Sequence, residues 1–458
     1  MTMNMTMNPL ERGRRRRAGI ALLVSLALLH AQTALAWSNH ALLTWPALSA
    51  EPAWAALPPV RVESLDTFLA AEATGLATLL RDEEAWAVQQ VPNYPARPAP
   101  IAFRADAAAT AAARRAAFIA AVRINPASRL NLFLQLPPAG SPGDRPVLKE
   151  SDVTPLTSTE ASKFDTFVAL REGETVPVVD VIATATDEPD YGIDIGVWSD
   201  NGTAHGAAYG FGKQPFGNPA LEFSSQAPLH IGYYHEAAIV YKAAPFLART
   251  FPEARIHLWR SLAAYALRTG HDYWGWRFAG WALHYVQDLT QPYHARVLPG
   301  IGVTRMLWIN TIDLIGVHDP KAHAITFVSN RHLALENFEL HWMRSVLAAP
   351  PTGGGDALRA LRDATQDARE PYRDDWPRER ISQQSFDAAD AIDAALVAAL
   401  PARITSDPSY AYGVTETGLD LYATSTPQAR ETLMRAITPL LANAGRHTRA
   451  FARGLRPN

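Results

Sequence analysis

The chain has 458 residues, 48% of them hydrophobic and 19% charged, with 42 Lys and Arg set against 45 Asp and Glu. This describes a globular chain with ample core, one large domain or two to three ordinary ones, and a formal net charge of −3 offers no electrostatic case for nucleic acid or a basic partner surface. Cysteine is absent, so a large core or bound metal has to supply the stability that disulfides supply elsewhere.

Arg12 and the arginines at 14–17 form a basic n-region ahead of an apolar run, 18–29, too short to span a membrane comfortably. Ala34-Leu35-Ala36 then fits the small-x-small rule for signal peptidase. Residues 1–36 are expected to be a signal peptide, exported by the general or twin-arginine route, leaving Trp37 as the mature N-terminus of a secreted or periplasmic protein. No second apolar run reaches the length of a transmembrane helix, so no such segment is expected in the mature chain.

His40 opens an apolar-periodic segment that reads as the first helix. After Pro58 and Pro59, residues 62–80 carry leucines and alanines at helical spacing, and Pro92, Pro95, Pro98 and Pro100 mark a loop. Residues 107–122 read as an Ala/Arg-rich helix. Residues 130–136 alternate enough for a short strand, with a helical turn equally compatible. The β-branched stretch 176–184 reads as a strand running into an extended acidic loop to Gly202, which continues through 206–219 and is long enough to hint at function. Helical patterning resumes from His230, through 253–268, the segment around Trp281, 298–314 and 331–347. Gly353 and Gly355 mark the best internal boundary, and 356–369, 385–400 and 427–455 read as further helices. The expected class is all-α.

The segment 281–296, WALHYVQDLTQPYHAR, concentrates the chemistry. His284 and Asp288 stand four apart and share one helix face; Pro292 stops the helix, and His294 follows on the exit turn. Nitrogen and oxygen donors of this kind suit zinc. A second pair at that spacing is His332 with Glu336, and Asp190 and His230 lie upstream. A free amine at Trp37 and its adjacent carbonyl could chelate a metal beside His40. Taken singly, each is ordinary: an i,i+4 surface pair, a first-turn histidine, a turn aspartate between Pro189 and Gly192. His235 competes with His230, and Asp194 or Asp200 with Asp190. His257, His271, His318, His323 and His341 read as structural or surface. Trp274, Phe278, Trp281 and Tyr285 form a stripe best read as core packing. Residues 303–317 are largely apolar; a buried helix is the default and a lid or lipid-facing flap the alternative.

Together these residues resemble the zinc-dependent phospholipase C and P1/S1 nuclease superfamily, all-helical secreted enzymes whose mature N-terminal Trp binds zinc. The family order Trp…His, Asp, His, His-x3-Asp-x5-His, His-x3-Asp/Glu is met by Trp37, His40, Asp190, His230, His284, Asp288, His294, His332 and Glu336. The resemblance covers residues 37–44 and about 187–342. It implies a multi-helical catalytic domain over 37–348 with a large insertion at about 62–176, and a C-terminal helical region, 349–458, packed on it. It implies three zinc ions: Asp190, His230, His284 and Asp288 on one; His294, His332 and Glu336 on its neighbour; Trp37 and His40, with Asp288 bridging, on the third. It further implies phosphodiester hydrolysis by metal-bound water, with Asp190 at the position of a water-orienting carboxylate or general base.

Glu336 in place of Asp, Pro189-Asp190-Tyr191, Gly280, and Ala295-Arg296-Val297 after the second histidine resemble the phospholipase C branch more than the nuclease branch. The expected substrate is a glycerophospholipid at a membrane surface, acted on by a monomer. A single-strand nuclease or 3′-nucleotidase, stacking bases on the many aromatic residues, is the alternative enzyme. A non-catalytic periplasmic zinc-binding protein, its cleft covered by the 62–176 insertion, is the alternative of another class.

Overall fold

A computed structural model describes residues 39–156, 165–217, 223–349, 355–365, 367, 371–412 and 418–456; residues 1–36, expected to be a signal peptide, and Trp37 lie outside them. The described chain is predominantly helical. Its principal helices are α1 (His40–Ser49), α2 (Leu65–Ala71), α3 (Ala73–Gln90), α4 (Ala111–Val122), α5 (Val178–Asp187), α6 (Pro252–Arg268), α7 (Asp272–Asp288), α8 (Val303–Leu314), α9 (Asp319–Ala348), α10 (Gly355–Arg362), α11 (Gln383–Ala399) and α12 (Pro427–Arg453). Five short strands accompany them: β1 (Val60–Arg61), β2 (Phe133–Gln135), β3 (Val147–Leu148), β4 (Phe167–Ala169) and β5 (Thr175–Val176).

The centre of the molecule is α7, buried from Tyr273 to Asp288. It pairs with α6 across a turn at Gly270, whose φ of 85° favours glycine. Trp274, Phe278, Trp281 and Tyr285 are fully buried in the main core, as their helical spacing predicts. On its other side α7 crosses α5 at Gly280. A Cβ there would lie 2.4 Å from Ala185 Cβ and 2.7 Å from the Ile182 carbonyl, so only glycine lets the two backbones come this close. That crossing sets His284, one turn further on, against the C-terminal end of α5.

Helix α5 corrects the sequence reading of 176–184 as a strand. Val178, Val181, Ile182 and Ala185 recur at helical spacing and pack into the core shared with α7, and burial on that face outweighs β-branched propensity. The following stretch opens with a short turn, and no helix or strand follows from there to Thr203. Glu188–Tyr191 is a 3-10 turn, closed by Gly192 at φ 102°, and residues 187–198 are buried. Arg277 of α7 grips this turn with a bidentate pair to Glu188, 2.8 Å on each arm.

The segment 62–176 leaves and re-enters the fold at one place. Val60 pairs with Val176 and Arg61 with Thr175, so β1 and β5 close its base. Its strand at 133–135 joins an antiparallel sheet in the order β2-β4-β3. Phe68, Leu76, Leu80 and Phe118 pack in the same core as Trp259, Trp274 and Phe278, on the outer face of the α6–α7 pair. The C-terminal helices share a second core with the first: Leu358, Leu361, Ile437 and Leu441 pack with Leu42, Leu43 and Phe338.

Candidate metal centre

Each donor reaches the centre from a different element. Asn39 caps α1 by accepting from the Leu42 amide, and Asp187 accepts from the Ala41 amide, so the orphan donors of the first turn are satisfied and His40 is held inside. The 3-10 turn after α5 carries Asp190, whose Oδ1 accepts from Gln226 Nε2 at 2.9 Å. His230 ends a short helix, Ala227–His230. The last turn of α7 supplies His284 and Asp288; the 3-10 turn Pro292–His294 supplies His294; the middle of α9 supplies His332 and Glu336. All eight side chains are buried.

Their donor atoms fall into three groups: His40, Asp190 and His284; His230, His284 and Asp288; His294, His332 and Glu336. Asp288 lies among all of them. Its Oδ1 is 3.5 Å from His40 Nε2 and 3.8 Å from His294 Nδ1, while Oδ2 is 3.0 Å from His230 Nδ1 and 3.3 Å from His284 Nε2.

Second nitrogens fix how the imidazoles face. His284 Nδ1 donates to the Thr186 carbonyl at 2.7 Å, one of the carbonyls left open where α5 ends. Gln287 donates through Nε2 to Thr44 and Thr448, so its Oε1 is left to accept from His40 Nδ1 at 2.9 Å. His294 Nδ1 faces the His230 carbonyl at 3.3 Å, and Asp194 Oδ2 stands 3.3 Å from His230 Nε2. In each ring one nitrogen is claimed by an acceptor and the other turns inward, where it offers a lone pair whenever it carries no proton. His284 Nε2 and His230 Nδ1 consequently meet at 2.9 Å, where a proton or a metal cation has to lie between them. No well-aligned hydrogen bond reaches either oxygen of Asp288 or His294 Nε2. Buried imidazole and carboxylate donors left in this state fit a bound metal ion, and the set of nitrogens and oxygens is compatible with zinc.

Proton affinities follow from burial. Burial and neighbouring histidines hold His284 and His294 well below the usual imidazole range, which keeps them neutral. Burial opposes a charge on His230 too, but Asp288, Asp194 and Asp190 outweigh it and lift the ring to about 10. Burial pushes Asp288 up to about 6, against the pull of His230, and raises Asp190 and Glu336 as well. Metal binding must therefore displace protons from His230 and, in acid, from the carboxylates. Metal affinity should fall as pH drops through about 6, by roughly tenfold per pH unit for each proton displaced. Competition against a chromophoric chelator at pH 5 and 7.5, with proton release followed in weak buffer, checks this; pH-independent affinity would count against it.

A cleft of about 320 Å³ opens beside the third group. His332 and Tyr293 form its inner end, and its walls are largely apolar: Phe216, Phe223, Tyr233, Leu247, Met306, Ile309 and Val328 among others. Among the described residues, none of 62–176 lines this cleft.

Of the sequence-predicted residues, His40, Asp190, His230, His284, Asp288, His294, His332 and Glu336 are brought together, and Trp37 falls outside the described residues. The alternatives lie at different distances from the cluster. His235 turns away to the Arg378 carbonyl, and Asp200 is an exposed acceptor for the Gln214 amide. Asp194 is at the centre without joining the donor groups: it supports His230, and is itself held by Arg255 and the Tyr285 hydroxyl, each at 2.6 Å. His257, His271, His318 and His341 pair with Glu83, Glu63, Asp313 and Asp420, away from the cluster. Gln287, Gln226, Arg255 and Thr448 gave no signal in sequence, since an uncharged amide or a lone buried arginine has no spacing rule. Compared with protein-family models, curated proteins and solved structures, the chain matches none.

Proposed function

We propose that this protein is an exported zinc metallohydrolase of phosphodiester bonds, a phospholipase C acting on glycerophospholipids. One observation carries the reading: a buried cluster of metal-type donors opens, through His332, onto an apolar cleft. The order of the donors along the chain, which resembles the phospholipase C and P1 nuclease superfamily, supports it. Bound zinc would supply a Lewis acid for the phosphoryl oxygens and a low-pKa water. The chain's own groups supply the rest. Asp288, fully buried, serves adjacent groups of donors. Asp190 keeps 11% of its side chain exposed, against none for Asp288 and 2% for Glu336, and Gln226 orients it, which supports a role for it in holding or taking a proton from water. The cleft would hold the glyceride portion of the substrate, whose leaving group is apolar.

The aromatic rings in the cleft, Phe216, Phe223 and Tyr233, would also serve a nuclease by stacking bases. Purified protein assayed on lecithin vesicles and on single-stranded DNA, with and without chelator, decides. Chelator-sensitive release of phosphocholine is expected. Nucleotide release instead would assign the nuclease, and silence on both with zinc still bound would leave a binding protein.

A further inference from the structure

Helix α8 and the turn after it are out of character for a protein surface. Only Met306 and Ile309 of α8 are buried, and both line the cleft. The helix packs on α9 and on the short helix Ala238–Ala243 through that one edge. Beyond it, the tip of the α8–α9 hairpin reads Leu314-Ile315-Gly316-Val317, with Leu314 87% exposed and Ile315 76%. Turn tips are ordinarily built from polar residues, because nothing covers them. Trp308 is half exposed on the same helix with the exposed Arg305 guanidinium over its ring, a cation–aromatic pair suited to a membrane–water boundary. Phe246 and Ile325, both lining the cleft, are also exposed and extend the apolar surface inward.

We propose that the α8–α9 hairpin tip, with Trp308, docks the protein on a phospholipid bilayer and sets the mouth of the cleft against the lipid. This rests on the phospholipase reading and names the element that meets the membrane. The argument for a bilayer as occupant is continuity. One helix joins the two: Leu314 ends α8 at the exposed tip, while Met306 and Ile309 of α8 line the cleft with the exposed Phe246 and Ile325, so a glyceride rising from a bilayer would stay in apolar contact on its way toward His332. No helix of the described residues is long and apolar enough to cross a membrane, so attachment would be interfacial and reversible. The local charge fits a zwitterionic surface: Asp313 is neutralised by Lys321 at 2.8 Å and hydrogen-bonded to His318 at 2.7 Å, and Arg305 is exposed.

The test is co-sedimentation with phosphatidylcholine vesicles. A Leu314→Ser, Ile315→Ser double variant changes two solvent-exposed side chains, so its fold and its hydrolysis of a water-soluble phosphodiester should match the parent. Its vesicle partitioning and its turnover of vesicle lecithin should each fall about tenfold or more. Equal vesicle binding by parent and variant, or no binding by the parent, overturns the proposal. So does a parent dimer that the double variant converts to monomer, which would assign the tip to a second copy of the chain. If the parent binds vesicles through this tip but hydrolyses no phosphodiester, docking stands and the catalytic reading falls.

Discussion

Asp288→Asn should strip more than one metal ion from the protein. The two oxygens of Asp288 stand 3.0–3.8 Å from four different histidines, and those histidines belong to all three donor groups. Asparagine keeps the shape but loses the charge and one of the two acceptor oxygens, so every ion that shares this carboxylate loses a donor at once. Elemental analysis of dialysed protein should show a loss greater than one equivalent, where Glu336→Gln, confined to one group, should cost at most one. Phosphodiester hydrolysis should fall at least about a hundredfold, since loss of a shared ligand exceeds loss of an outer-sphere support. The metal-free fold loses the buried Asp288–His230 pair as well, so circular dichroism has to show the variant folded before its metal is counted. Full metal retention would break the assignment at its centre.

The donors were legible because helical spacing is local. His284 with Asp288, and His332 with Glu336, needed only a helix to share a face, and α7 and α9 provide it. The class was legible too, and so was the aromatic stripe of α7, for the same reason of period. Two readings failed where local preference met tertiary burial. Residues 178–185 carried both β-branched propensity and a helical period, and the period decided once that face was buried on α7. Residues 303–317 looked apolar enough for a buried helix, but α8 has one packed edge, and its length of apolar sequence says nothing of how many neighbours it meets. What sequence could not give is the outer support of the site. Gln287 joins His40 to Thr44 of α1 and Thr448 of α12, residues more than a hundred and fifty positions apart from it or more, and no spacing rule connects them.

Asp194 is where that hidden layer should matter most. It is fully buried, and burial works against its ionisation, yet Arg255, His230 and Tyr285 hold its carboxyl below the usual range. A carboxylate so fixed orients His230 through Nε2 and keeps Nδ1 turned toward Asp288. Asn at this position keeps one acceptor oxygen but sets an NH2 donor where the other stood, so it cannot serve the ring, the Tyr285 hydroxyl and the Arg255 guanidinium together. Metal affinity should weaken about 10- to 100-fold. Stability should also fall, by about 3 kcal/mol, because Arg255 loses its buried counter-charge and is left with neutral acceptors such as the Val122 and Arg123 carbonyls. Tyr285→Phe separates the two effects: it removes one support of the carboxylate and leaves the ion pair intact, so its metal affinity should drop less and its stability little. Chelator competition on folded protein reads the first quantity and urea unfolding of metal-free protein the second. An Asp194→Asn protein that is less stable but binds metal as tightly as its parent would reduce Asp194 to a partner of Arg255 and free His230 of its control.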